Sequence, residues 1–402
     1  MSANHSTERK TEEKLPSPIA QIPRIIYAPQ KAFKAITQNP KYLSPILIMI
    51  LFSVAYTASA YAFVSKGYNE QVLPVLSKGD EWTENNTSLW TSNATIAESI
   101  DCIGTGYYGN RSIEFNSSDT SRLWMQLSNV GPANCSGSEG YRNMSFRLKT
   151  AYPDTSQLAN ASVYLFSDQM NYFYYDLTES IVSLNKTEWN NFTLQLGTEN
   201  GWADNGTSAD WRNVVDIRFE FTWAENVNAT FRLDGLFFRG LFKPAMVNVV
   251  NSLFSFSMYG FVQFVLRWVI MGALLFVMTR GFGAATVWRT ILVSIGFALI
   301  TMFVQSAINV AVFSTLPTIH YPFELMGGTE GEAQMAINQV STDTWLASEV
   351  LRYIQVATYI WTVALCAIAT RMSSETSWLK SVLLATVAFF TSLVAESFIL
   401  GF

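Results

Sequence analysis

The stretch SPILIMILFSVAYTASAYAFV, residues 44–64, runs 21 residues without a charged side chain. A helix rises about 1.5 Å per residue and a bilayer's hydrocarbon core is roughly 30 Å thick, so about 20 apolar residues cross it. The stretch is therefore expected to be a membrane span. It follows 43 mostly polar residues, so an uncleaved anchor is expected rather than a secretory signal. Four later segments meet the same criterion: Phe256–Met278, Thr290–Val312, Ser348–Ala369 and Ser381–Phe402.

Charge divides the 402 residues into unlike parts. Residues 1–43 hold seven Lys/Arg against three Asp/Glu, residues 66–243 hold 13 against 21, and residues 244–402 hold six against seven. A basic head, an acidic middle and an oily tail describe a membrane protein with a large inserted domain. The expected fold class is membrane α plus all-β, a five-span helical core with an antiparallel β-sandwich between spans one and two. The expected divisions are a cytoplasmic arm (1–43), span one (44–65), the sandwich (66–245) and spans two to five (246–402). No basic patch of the kind that binds nucleic acid is present.

Orientation follows from the short loops. Arg280 and Arg289 flank one turn and Arg371 and Lys380 another, whereas residues 314–347 contain four acids and no Lys or Arg. By the positive-inside rule the N-terminus is cytoplasmic, and residues 66–250, 314–347 and the C-terminus are extracytoplasmic in a multi-pass cell membrane. Glycosylation sequons agree. Asn85, Asn86, Asn93, Asn110, Asn116, Asn134, Asn143, Asn160, Asn185, Asn191, Asn205 and Asn228 each begin Asn-x-Ser/Thr, and the one other, at Asn4, should be silent in the cytoplasm.

Residues 1–16 are polar and expected to be disordered. After Pro29, Ala32, Phe33 and Ile36 share one helical face, with Lys31 and Lys34 turned elsewhere. A short basic amphipathic helix before a span is expected in the headgroup layer, with a partner-binding helix as the alternative.

Between residues 110 and 240, eight strand-length segments alternate or run apolar between turn residues, which suggests an antiparallel sandwich. Its ending, DWRNVVDIRFEFTW then FRLDGLFFRG, resembles the last strands of galactose-binding-like, jelly-roll carbohydrate-binding modules. Trp202, Asp204 and Trp211 lie in one loop and are the candidate glycan contacts, weighed against aromatic residues that merely fill a core. Asp234 before Gly235 is read as a turn former, with a structural Ca²⁺ ligand as the alternative. Cys102 and Cys135 are expected to form a disulfide in an oxidising compartment. Cys366 is read as a small buried apolar residue.

Two further stretches, YAPQKAFKAITQNPKYLSPILIMILF and TRGFGAATVWRTILVSIGFALITMF, resemble the Yip-domain (Rab-interacting-protein-like) family, over residues 17–65 and 250–402. The first carries Pro-x-x-Ala-Phe-x-x-Ile before span one, and the second carries Gly296-Phe297 in mid-span. The Asp-Leu-Tyr-Gly-Pro motif of the eukaryotic trafficking members is absent, which makes the prokaryotic-type branch the closer likeness. That branch together with dense sequons suggests an archaeal-like surface membrane.

Ionisable residues inside spans are functional candidates by default. Arg267 and Glu396 fall at matching depths for an ion pair between spans two and five, and Glu349 and Arg352 lie one turn apart on span four. No Cys/His metal cluster, nucleophile elbow or phosphate loop is present, so neither an enzyme nor a cofactor is expected. The expected function is a scaffold or accessory subunit that organises membrane or envelope protein partners, with the lipid bilayer around it and a glycan as candidate ligand. The alternatives are a small-solute or ion transporter using Arg267 and Glu396, and a glycan-binding adhesin or sensor.

Overall fold

The computed structural model describes residues 19–84, 86–104, 108–152, 158–183, 188–206, 208–327 and 329–401. In chain order it has helices α1 (Gln21–Tyr27), α2 (Pro29–Gln38) and α3 (Leu43–Val64), then strands β1 (Gly67–Leu73), β2 (Trp90–Ser92) and β3 (Thr95–Ser99). Next come β4 (Ser112–Leu127), β5 (Asn143–Tyr152), β6 (Leu158–Phe166), β7 (Tyr172–Asp176), helix α4 (Thr178–Val182), β8 (Asn190–Gln195), β9 (Ala203–Asp204) and β10 (Asp216–Pro244). Helices α5 (Val249–Gly281), α6 (Trp288–Ala298) and α7 (Ile300–Ser314) follow. The chain continues through β11 (Ile319–Tyr321), α8 (Glu324–Gly327), α9 (Glu330–Ser374) and α10 (Trp378–Leu400). It forms two compact units: a helical one of Met1–Lys66, Met246–Pro317 and Thr344–Phe402, and a β one of Gly67–Ala245 and Thr318–Asp343.

The β unit is organised by one ribbon, β4 against β10. Leu127 pairs with Ile217 at one end and Ile113 with Leu233 at the other, with an irregularity between Thr222 and Val227. Ten residues of extended strand cover about 33 Å. Yet Phe221 and Phe231, ten apart on β10, stack with ring centres 4.2 Å apart. The ribbon therefore folds over on itself there, opposite Asp119, whose φ is +54°. One layer continues through β6, β7 and β9, and the other through β3, β5 and β8. Phe146 of β5 meets Phe219 edge-on at 5.0 Å across the interior. The expected sandwich is present, with β1, β2, β3, β9 and β11 added to the segments read from sequence. Its pairing is antiparallel except for β1 with β11.

That exception changes the reading of residues 314–347, expected to be an external loop. Residues 318–343 belong to the β unit. Glu324 binds Arg239 and Glu332 binds Arg147, both at 2.5 Å. Arg239 also holds the buried Glu70 at 2.9 Å. Two of the four acids that gave this segment its charge, Glu324 and Glu332, are thus bound by arginines of the sandwich.

In the helical unit, five helices among the described residues are long and apolar enough to cross a membrane: Leu43–Val64, Val249–Gly281, Trp288–Ser314, Gly331–Ser374 and Trp378–Leu400. The third is broken at Leu299 into α6 and α7. Small residues let the helices approach: a Cβ on Gly296 would lie 2.6 Å from Pro45 Cβ and 2.7 Å from Trp268 Nε1. Hydroxyls bond within and between helices, as Thr301 does to Thr362 at 2.7 Å. Large apolar side chains line the outside, with Val54 64%, Val277 66% and Phe398 86% exposed.

The arm departs from expectation. Ala32, Phe33 and Ile36 do share one buried face, as their spacing requires. That face joins the core of the helical unit with Ile291 and Ile295 of α6, rather than meeting lipid. Residues 1–16, with His5 and the silent sequon at Asn4, lie outside the described residues.

Candidate functional site

An open cleft of about 630 Å³ lies in the β unit, walled by Cys135, Tyr141, Arg142 and Asn143 on one side and by Gln195, Glu199, Asn200 and Trp211 on the other. Sheet pairing builds it. β5 and β8 run side by side with Asn143 opposite Gln195, and Leu196 donates its N–H to Arg142 O at 2.7 Å. The walls lie where these two strands meet their loops. Tyr141 stacks on buried Phe238 at 6.2 Å, and the Cys135 amide donates to Trp211 O at 2.7 Å. Asn200 Nδ2 donates to Leu196 O at 2.8 Å, which pins the far loop. Arg142 and Glu199 form no ion pair among the described residues, so the cleft keeps one cation and one anion available to a ligand.

The tryptophans separate into two roles. Trp211 stacks on Phe173 with ring centres 4.0 Å apart, and its Nε1 is buried without a hydrogen-bond partner among the described residues. Trp202 meets Trp211 edge-on at 5.6 Å. Trp202 is 5% exposed, and its indole N–H donates to Gln195 O at 2.8 Å. A ring buried on both faces cannot stack on a sugar, so Trp202 is a core residue and not a glycan contact. Asp204 is exposed, its Oδ1 accepts from Gly206 N at 3.0 Å within its own turn, and it does not line the cleft. Of the three sequence candidates, only Trp211 reaches the cleft.

The expected Cys102–Cys135 disulfide is not formed; both thiols are free. Cys102 follows β3, and the next residue, Ile103, is held by Asp234 of the same layer. Cys135 belongs to a loop bridged to Val214 and Trp211 of the other layer. Separate anchors hold the thiols apart. Burial pushes the Cys135 thiol up to about 12.

Asp234 is not the turn former expected from sequence. It is fully buried in β10, and Ile103 N donates to its Oδ2 at 2.7 Å. Beside it lies Asp80, 3% exposed, whose Oδ2 accepts from Thr83 Oγ1 at 2.8 Å and from Gly235 N at 3.3 Å. Gly235 has φ +57°, and a Cβ there would sit 2.7 Å from the Tyr108 ring. Each carboxyl keeps one buried oxygen without a hydrogen-bond donor among the described residues. Burial, then the neighbouring charge, pushes Asp80 well above the carboxylate range, and burial raises Asp234 as well. Two such carboxyls fit one shared proton. Among the described residues no three His, Cys, Asp or Glu side chains converge as a metal site.

In the helical unit the structure brings Arg267 and Glu396 together at 2.7 Å, both buried, with Gln263 Nε2 on the second carboxylate oxygen at 2.6 Å. Glu349 and Arg352 also meet, at 3.2 Å, but Arg352 is 66% exposed.

Ten of the twelve sequons are described; Asn85 and Asn185 lie outside the described residues. Asn110 and Asn116 are exposed and their side chains make no hydrogen bond among the described residues. Asn191 and Asn228 are also exposed, each with its amide engaged, while Asn86, Asn134, Asn143 and Asn160 are half-buried. Asn93 is used structurally, accepting from Trp124 N at 2.9 Å and donating to Arg122 O at 2.7 Å. Asn205 donates to Met170 O at 2.6 Å.

No family model and no curated protein matches the chain. Solved structures similar to part of it include the family 11 carbohydrate-binding module from Clostridium thermocellum in complex with a mixed-linked tetrasaccharide. That module is 14% identical, the match covers 37% of this chain and 87% of that one, and the TM-score is 0.26. An exo-beta-agarase is 12% identical over 41% of this chain and 25% of its own, with a TM-score of 0.29. A non-crystalline cellulose specific module, CBM28, is 9% identical over 39% and 89%, with a TM-score of 0.23. At such TM-scores the functional reading rests on the chain's own geometry.

The cleft was missed in sequence because no motif encodes it. Tyr141, Arg142, Glu199 and Asn200 come from loops more than 50 residues apart. The only local signal was the turn-rich GTENG, residues 197–201.

Proposed function

We propose that the protein is a non-enzymatic, membrane-anchored binding protein whose outer β unit holds a hydroxyl-rich ligand of the glycan class in the Trp211 cleft. The observation that carries this reading is the cleft's chemistry. Aromatic walls supply apolar contact, while amides and two unpaired charges supply directed hydrogen bonds to hydroxyls. Lipid-facing anchorage explains the large apolar side chains on the outside of the helical unit, which water would not tolerate over so wide an area. The N-terminus is then cytoplasmic and the sandwich extracytoplasmic, with Asn110 and Asn116 the sequons best placed to accept a glycan. On this reading the protein serves as a scaffold or accessory subunit that presents the bound glycan, or glycan-bearing partner, at the membrane.

The helical unit is Yip-like on this proposal. The two stretches that carry that resemblance meet each other, Pro45 seating on Gly296 and Phe33 entering the α6 core. In the β unit, His320 of β11 packs edge-on against Phe242 at 4.7 Å, a structural use of that histidine. Arg267 and Glu396 are each other's partners, and this favours helix docking over transport.

Full-length protein in neutral detergent should bind members of a broad glycan panel, and Trp211→Ala should lose that binding without a change in helical content. Absence of binding across the panel would sink the glycan reading.

A further inference from the structure

One end of the helical unit gathers basic side chains that no carboxylate among the described residues neutralises. Lys31 and Lys34 lie on α2, Arg280 and Arg289 flank the α5–α6 turn, and Arg371 and Lys380 flank the α9–α10 turn. Two contacts join these places: Lys380 Nζ lies 5.7 Å from the Phe282 ring centre, and Arg289 Cζ lies 5.7 Å from that of Tyr42. Across residues 19–43, 280–290 and 371–380 the sole acid is Glu375. Among the described residues, the ion pairs of the helical unit are Arg267–Glu396 and Arg352–Glu349, so all six of these cations lack one.

Aromatic rings steady these charges instead. Arg280 lies 4.9 Å over Phe276 and Arg371 lies 4.1 Å over Trp378. A cation–π contact positions a cation and leaves its charge uncancelled. Arg371 adds a second, independent observation: its Nη1 is buried and has no hydrogen-bond partner among the described residues. That donor needs an acceptor that the described residues do not supply. Beside it the hydroxyls of Ser374, Thr376 and Ser381 are linked at 3.0 and 2.7 Å.

The source of the missing acceptor follows from the neighbouring surface. Val277, Phe282 and Leu379 are 66%, 57% and 82% exposed at the same end. A free anion has no use for such a surface; an anion attached to acyl chains does. We infer that this end of the helical unit binds acidic phospholipid headgroups, with the phosphate on Arg371, Lys380 and Arg280 and the acyl chains along α5 and α10. The inference rests on the membrane placement of the helices and is independent of the glycan cleft.

The test uses full-length protein in neutral detergent and follows thermal unfolding. Phosphatidylglycerol should raise Tm by about 2–4 °C, the shift that about 1 kcal/mol of ligand stabilisation gives a unit of this size. Phosphatidylcholine should not raise it, and the double variant R371Q/K380Q should lose the difference while Arg371→Lys keeps it. Equal shifts with the two lipids would overturn the inference, as would selectivity that survives in R371Q/K380Q. A shift produced equally by glycerol phosphate would assign the site to a free anion and overturn the lipid. If the double variant does not fold, wild-type selectivity in high salt decides, because exposed charge pairing weakens as ions screen it. Selectivity must then fall, and its persistence would contradict the inference.

Discussion

In the β unit Phe221 lies flat on Phe231 and both rings are buried, whereas in the helical unit Phe254, Phe390 and Phe398 stand 68%, 53% and 86% exposed. Charges differ in the same sense. Arg239 bridges Glu70 and Glu324, and Arg147 reaches Glu332, so acids and bases of the sandwich neutralise one another. Among the described residues the helical unit buries a single ion pair, and the cations of its basic end have none. Its core sets small and polar residues such as Gly296, Ser294, Thr301 and Cys366 among buried rings such as Phe33, Phe264 and Phe389. Water drives apolar bulk inward, so a domain in water hides its phenylalanines. Hydrocarbon supplies no such drive, and helices in it associate through close approach of small residues and through polar bonds. On the proposed membrane placement, one chain is built by two rules, one for each solvent.

The sharpest way to break this comparison is to truncate the same residue type in both units. Phe231→Ala should destabilise the sandwich by about 3–5 kcal/mol, while Phe398→Ala should stay within about 0.5 kcal/mol. Calorimetry of both variants in detergent checks this, and comparable losses would refute the two-solvent account. Arg239→Ala leaves Glu70 buried without its partner, for a loss of about 3–5 kcal/mol confined to the β unit. Urea titration followed by tryptophan fluorescence reads that loss. Smaller effects belong to the helical unit. A double-mutant cycle of Arg267→Leu and Glu396→Leu should return a coupling of about 0.6–1.7 kcal/mol, the range of polar contacts between membrane helices.

Dependence on pH separates the two kinds of carboxyl within the sandwich. Asp80 and Asp234 are raised in the folded chain, so their stabilising contribution is complete below the unfolded carboxylate pKa of ~4 and is lost as pH rises through the folded value. Burial works to raise Glu324 as well, but the bonds and charge of Arg239 outweigh it and hold it below the ordinary range. Its contribution is present above the unfolded pKa and is lost as pH falls through the folded value. Asp234→Asn should therefore flatten the loss of stability on the rising side, and Glu324→Gln the loss on the acid side. Thermal melts across pH 3–9 (about the usual span of such scans) resolve the two slopes.

Much of the architecture was legible in the sequence because it rests on local composition. Uncharged runs such as residues 44–64 mark the helices, and alternating segments such as RLWMQLS mark strands. The matching depths of Arg267 and Glu396 even anticipated their contact. What escaped depends on partners far apart in sequence. Asp80 meets Asp234 across 154 residues, and Glu332 meets Arg147 across 185. Nothing local shows that a loop will join a sheet. Trp202 looked available because it sits among turn residues, but its neighbours Tyr175 and Trp211 close over it. The cysteine spacing suited a bridge, and the folding of the β4–β10 ribbon placed the two thiols on different layers.

Side-selective labelling tests the central claim most directly. In a background with Cys102→Ser, Cys135→Ala and Cys366→Ala, single cysteines would replace Asn110 on the sandwich and Lys34 on α2. Sealed vesicles with the cell exterior outward would then meet a membrane-impermeant maleimide. The account predicts that the cysteine at position 110 reacts at once and that at position 34 reacts only after permeabilisation. Immediate reaction at both positions, or the reverse order, would contradict the proposed placement of the sandwich outside and α2 inside one membrane.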